Sequence, residues 1–186
     1  MPKRDNKVIT LGSGKLYVQA YATAMPTVDA ICVEENLLGY IKGGAALEYT
    51  EEVHDEKDDL GLVNKIITIS EEAILKAGLI TWNGATLQKL VDRAKTSEKD
   101  GKRTTKIGGP GNAQGGYYAI CFHHADKVDG DLWVLIKGRN TAGFTLTFAQ
   151  DAGTLVEPEF KAMPHDTEGT LIEIIEEIPA TTTANT

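Results

Sequence analysis

"LGYIKGGAALEYTEEVHDEKDDLGLVNKIITIS", residues 38–70, sets two β-like runs on either side of a segment that carries seven carboxylates and one lysine within residues 48–59. The first run contains Gly43-Gly44, where a bulge or sharp bend is expected, because glycine inside a strand pattern marks such a site. The second, "LVNKIITIS", returns as a strand rich in β-branched residues. Together they predict a long hairpin over 42–70 with an acidic tip. Its connection exceeds the about 2–5 residues usual for a hairpin loop, which points to a functional segment and not a mere connector.

Outward from this hairpin the chain reads as more strands. "GKLYVQAY", 14–21, alternates with Leu16, Val18 and Ala20 on one face and Lys15, Tyr17 and Gln19 on the other, the period of a half-buried strand. "DAICVEEN", 29–36, reads as a second strand. "SEEAILKAGLITW", 70–82, is ambiguous and fits a strand followed by a turn or by a short helix equally well. "NGATLQKLVDRAK" places Leu87, Leu90, Val91 and Ala94 on one face and predicts a helix over 84–95, with Asn83 or Thr86 as its cap. Residues 96–116, basic, polar and glycine-rich, read as a long loop or arm. Five strand-like runs follow: "YYAICFHH", "DLWVLIKGR", "GFTLTFAQ", "TLVEPEFKAM" and "GTLIEIIEEI". Asp129-Gly130 marks a tight hairpin turn between the first two, and "FTLTF" directs Phe144, Leu146 and Phe148 to a core. Residues 179–186, "PATTTANT", have little to bury and are expected to be disordered. The fold class expected is α+β and mainly β: an antiparallel sandwich or barrel with one packed helix and a long hairpin arm, in a single domain over 1–186.

Composition restricts the function. A chain of 186 residues with 41% hydrophobic and 25% charged residues is an ordinary globular domain, able to bury about 70% of its unfolded surface without a metal or disulfide. A formal charge of −8 argues against general affinity for a phosphate backbone. The charge is segregated: residues 48–59 carry a net −6, 151–177 a net −7 and 89–106 a net +4. Such segregation suits head-to-tail contacts between copies, and a solvated surface equally. No apolar run reaches the ~20 residues of a membrane helix, and "MPKRDNKVIT" lacks the apolar core of a signal peptide. Cys32 and Cys121 lie in apolar runs and are expected to be buried free thiols of a cytoplasmic protein.

No motif assigns a catalytic, cofactor or metal site. His123 and His124 are adjacent on a strand and point to opposite faces, so at most one could join a given site. "DEKDDLG" lacks both the spacing and the last ligand of an EF-hand loop, and "GSGKLY" does not satisfy the phosphate-loop pattern. No serine sits in a nucleophile elbow. A β-sandwich module that binds carbohydrate or another ligand is the rival reading. Aromatics at 6% of the chain, with Trp82 and Trp133 expected inside, weigh against its usual aromatic platform.

Several stretches in order resemble the major tail tube proteins of long-tailed bacteriophages and related prophage tail-like particles. These are "TLGSGKLYV" (10–18), "EENLLGYIKGGAALEYTEEV" (34–53), "EAILKAGLITWNGATLQKLV" (72–91), "DGDLWVLIKGRNTAGFTLTF" (129–148) and "EFKAMPHDTEGTLIEIIEE" (159–177). Their order and spacing carry the resemblance. It implies a structural virion protein without a catalytic site or cofactor, assembled in the host bacterial cytoplasm and resident in the virion tail. Hexameric rings of such proteins stack into a hollow tube, with strands of each subunit lining an inner barrel through which DNA passes unbound. The partners implied are the protein itself, the tape measure, terminator, baseplate or distal tail proteins and, in sheathed tails, a sheath protein. A terminator or baseplate-hub protein that forms one ring is the alternative within that resemblance.

On this reading the acidic tip is either lumenal or docks on the adjacent ring. Docking is preferred, with Glu51, Glu52, Asp55, Glu56, Asp58 and Asp59 meeting Lys99, Lys102, Arg103 and Lys106. Glu173 and Glu177 alternate with isoleucines and are candidates to face the lumen, with plain solvent exposure as the alternative.

Overall fold

Three strands that pair side by side, Lys15–Ala20, Tyr118–His124 and Leu132–Asn140, bury residues on both of their faces. The structure, a computed structural model, describes residue 10 and residues 12–178. Its elements are β1 (Lys15–Ala20), α1 (Val28–Ile31), β2 (Leu37–Lys57), β3 (Asn64–Leu79), α2 (Gly84–Leu90), β4 (Ala94–Lys99), β5 (Lys102–Ile107), β6 (Tyr118–His124), β7 (Leu132–Asn140), β8 (Glu159–Met163) and β9 (Ile172–Glu176). Seven strands form one antiparallel sheet in the order β6-β1-β2-β3-β8-β7-β9, with β6 also pairing along β7. β4 and β5 form a separate two-stranded ribbon.

Alternation along the strands divides the core. Leu16 and Val18 of β1, Ile120 of β6 and Ile136 of β7 join Leu38, Leu75, Leu79, Leu90, Val156 and Phe160 in the main cluster. Their neighbours Tyr17, Cys121 and Leu135 turn the other way and pack with Ile31 of α1 in a second cluster. Phe160 is fully buried; removing such a side chain from water contributes about 1.5–3 kcal/mol.

Close backbone approaches fix where strands cross. A Cβ on Gly138 of β7 would lie 2.2 Å from the Lys161 carbonyl oxygen of β8, so only glycine fits there. At Gly43 and Gly44 the requirement is conformational: φ is +87° and +88°, and the β2–β3 register breaks between Ile41 and Ala45. The bend expected at the double glycine is present.

The expected sandwich or barrel with one helix is corrected. The architecture is a mixed α+β domain with one large antiparallel sheet and two short α-helices. Residues 29–36 are not a strand: α1 and a single 3₁₀ turn at Glu34–Asn36 occupy them. The helix expected over 84–95 ends at Leu90, because Val91 is already extended (φ −127°, ψ 121°) and Ala94 begins β4. Residues 96–116 are not a long loop, since they contain most of the β4–β5 hairpin, turned at Asp100-Gly101 with φ of +52° and +72°. The run 143–150 forms no strand; Phe144 and Leu146 pack on the core, while Phe148 is 77% exposed. The tail expected to be disordered, 179–186, lies outside the described residues.

Candidate functional site

β2 starts inside the sheet and β3 ends inside it, and beyond the sheet the two run on together as a pair. Leu47 lies opposite Leu75 and Tyr49 opposite the buried Ala73; from residue 48 to residue 71 every side chain is exposed. The ladder nevertheless continues to Lys57 opposite Asn64, with one irregularity at Glu52/Val53. The result is a two-stranded arm projecting from the body. An isolated two-stranded ribbon is marginally stable in water. Moreover, β2 beyond Tyr40 and β3 before Ile74 each pair on one edge alone among the described residues.

The arm is unevenly divided between its strands. β2 and the tip supply most of its acids, with Glu71 on β3, while β3 and the tip expose most of its apolar side chains: Leu60 and Leu62 are about four-fifths exposed, and Ile66 is 60% exposed, beside Ile67 and Ile69. This apolar stripe was not singled out in the sequence, because "IITI" reads as ordinary strand core. Only the departure of the hairpin from the body exposes it.

Each proposed docking acid has a place on the arm. Glu51 accepts from the Tyr49 hydroxyl at 2.8 Å and stands opposite Glu71; Glu52 accepts from the Ser70 hydroxyl at 3.0 Å. Asp55 pairs with Lys57 at 2.8 Å, and Glu56 lies 3.0 Å from His54. Asp58 is an architectural residue of the tip. Its carboxylate accepts from the Val63 amide at 2.7 Å and the Leu60 amide at 3.3 Å, and these bonds, the first above all, hold its carboxyl below the usual carboxylate range. Asp59, next to it, is exposed.

The basic residues gather on the β4–β5 ribbon. Lys99 is opposite Lys102 and Lys95 opposite Lys106, so like charges face each other along it. Arg103 is the exception, bound to Glu98 through Nε at 2.7 Å and Nη2 at 2.6 Å. α2 seats this ribbon: Asn83 caps the helix by accepting from the Ala85 and Thr86 amides, and the Thr96 hydroxyl donates to the Gly84 carbonyl at 3.0 Å. Among the described residues no ion pair joins the acidic arm to this basic ribbon within one chain.

Glu173 and Glu177 lie at opposite ends of the β9 segment and each has a polar partner. Glu173 Oε1 is 2.8 Å from His165 Nε2, and Glu177 Oε2 accepts from the Asp131 amide at 3.1 Å. The outer edge of β9 carries no strand partner among the described residues, and Ile174 and Ile178 beside it are exposed.

The histidines serve local structure. His123 lies 2.8 Å from Asp131 and stacks on Trp133 with ring centroids 5.1 Å apart; His124, buried, places Nδ1 2.8 Å from the Ser13 carbonyl oxygen. Among the described residues no group of three or more His, Cys, Asp and Glu side chains is arranged to hold a metal ion, and no helix is long and apolar enough to cross a membrane. No protein-family model and no curated protein matches the chain.

Proposed function

We propose that this protein is a structural subunit of a phage tail or tail-like particle, polymerising as stacked hexameric rings into a hollow tube through which DNA passes. The observation that carries the reading is the arm. A paired ribbon exposed from residue 48 to residue 71, with apolar side chains along β3 and acids along β2, gains its stability by lying on another copy. The basic β4–β5 ribbon is the complementary surface, and it lies on the same chain. A contact between unlike patches of identical subunits is head-to-tail and propagates into rings and stacks. The net charge of −8 supports passage of DNA without retention, because an acidic wall repels phosphate.

Negative-stain electron microscopy of the purified protein, dilute and then concentrated over several days, tests this. Hollow tubes, or rings stacking end to end, are the expected result. Isolated rings that never stack indicate a terminator or hub subunit instead. A protein that stays monomeric at high concentration and low salt, with no particle formed beside tail initiator proteins, overturns the reading.

A further inference from the structure

Cys32 and Cys121 are 89 residues apart in sequence, yet their sulfurs lie 3.7 Å apart, unbonded. Cys121 sits mid-strand in β6, opposite Tyr17 of β1 and Leu135 of β7, and is wholly buried. Cys32 caps the C-terminus of the one-turn helix α1, its amide donating to the Val28 carbonyl at 2.9 Å, and it is partly exposed. A cavity of about 440 Å³ reaches it, lined also by Ser13, Lys15, Tyr17, Tyr40 and His123. One cysteine is therefore partly exposed beside a cavity and the other shielded, and their sulfurs are in contact.

From this geometry we infer that Cys32 and Cys121 form a redox site, in which a peroxide reacts at Cys32 and Cys121 resolves the product into an intramolecular disulfide. The bonded distance of about 2.0 Å requires the sulfurs to approach by a little under 2 Å. Movement of Cys32 supplies it, since α1 is a single turn packed at the surface while β6 is held by strands on both sides. The hydrogen bond from the Cys121 thiol holds Cys32 below the usual thiol range, favouring the thiolate that attacks; that same bond, and then burial, push Cys121 up.

The chemistry balances as follows. Cys32, having lost its proton, attacks one peroxide oxygen; the O–O bond breaks, leaving a sulfenic acid and releasing water. Cys121 then attacks the Cys32 sulfur, the S–O bond breaks, and its proton leaves with the departing hydroxide as a second water. Two thiols lose two electrons and two protons, and one peroxide becomes two waters. The product ties α1 to the centre of the sheet across an 89-residue separation, whether or not the protein builds a tube.

The test treats the full-length protein with hydrogen peroxide, quenches it, unfolds it, alkylates the remaining thiols and measures intact mass, followed by peptide mapping. The expected result is the joint loss of both alkylatable thiols, a Cys32–Cys121 cross-linked peptide within one chain, and recovery of both thiols with dithiothreitol. In Cys121→Ser, a sulfenic-acid probe should label Cys32; in Cys32→Ser, Cys121 should survive the same dose. Two retained thiols, or a disulfide found only between chains, would overturn the proposal, and this native-sequence measurement decides it even where a variant fails to fold. Oxidation of Cys121 in Cys32→Ser at the native rate would overturn the order of attack.

Discussion

Glu51 stands directly opposite Glu71 across the arm, and the Tyr49 hydroxyl donates to Glu51 at 2.8 Å. Two like charges face to face weaken a ribbon that already lacks other support. The tyrosine offsets part of that, and the bond to Glu51 above all pushes the Tyr49 hydroxyl from 10.0 up to about 12. Because the folded value is raised, the contribution of this bond is complete below about pH 10 and vanishes as pH climbs through about 12. A phenolate titration by ultraviolet difference between the native protein and Tyr49→Phe should show one tyrosine ionising late. Glu51→Gln should return it towards 10.0.

Reversal of charge on the basic ribbon, Lys99→Glu with Lys102→Glu, should impair assembly. Reversal at Glu56 and Asp59 on the arm should partly restore it. Asp58 is left intact in this pair because its carboxylate builds the tip loop. Turbidity and electron microscopy at low and high salt read the outcome; exposed charges interact within a Debye length of about 10 Å at 0.1 M salt, so the defect should shrink as salt rises. Normal polymerisation of both single-ribbon variants at low salt sinks the pairing.

Ile66→Ser with Ile69→Ser should separate assembly from folding. Both side chains are exposed in the single chain, so stability should change by no more than about 0.5 kcal/mol, as for surface positions generally. If the β3 stripe is buried between copies, polymerisation should be lost. Urea unfolding and sedimentation, measured on the same sample, distinguish the two effects.

Asn83→Ala should cost about 1 kcal/mol, the usual penalty for removing a helix cap that accepts from two backbone amides. Chemical denaturation checks this, and protease sensitivity of the β4–β5 hairpin should rise with it, because α2 seats that hairpin.

Gly138→Ala should destabilise the fold through a backbone clash between β7 and β8. The added carbon would meet the Lys161 carbonyl at 2.2 Å, and neither strand can withdraw without breaking its ladder. A loss of about 1–3 kcal/mol is expected from overpacking of this kind, readable as a shift in the urea midpoint with unchanged slope.

The sequence reveals strands wherever alternation coincides with burial. β1 could be read from its period-two pattern and β6 and β7 from their apolar runs, whereas the arm, exposed throughout, was legible only from its double glycine and its β-branched return strand. Alternation alone reports a face and not a ladder, and residues 143–150 show the difference. Phe144 and Leu146 pack inward as their spacing implies, yet the segment joins no ladder, and both edges of β7, which precedes it, are already taken by β6, β8 and β9. α1 was illegible because four residues are too few for a helical period, and Ile31-Cys32-Val33 has no clean period at all. The β4–β5 hairpin was legible and missed: Asp100-Gly101 is a strong two-residue turn signal, hidden by the absence of apolar residues on either side. The approach of Cys32 to Cys121 had no local signal, because it depends on a helix and a strand meeting across most of the fold.

The departure of the arm from the sheet has a mechanical consequence. From Glu48 to Lys57 the arm is about 30 Å long at about 3.3 Å per residue, and past Ile74, where β3 last pairs with β8, only its own ladder holds it among the described residues. A rotation of about 10° there sweeps the tip through about 5 Å, as much as the spacing of neighbouring strands at about 4.8 Å. Small torsional adjustments at the exit thus choose which strand position on a neighbouring molecule the far end of the lever meets.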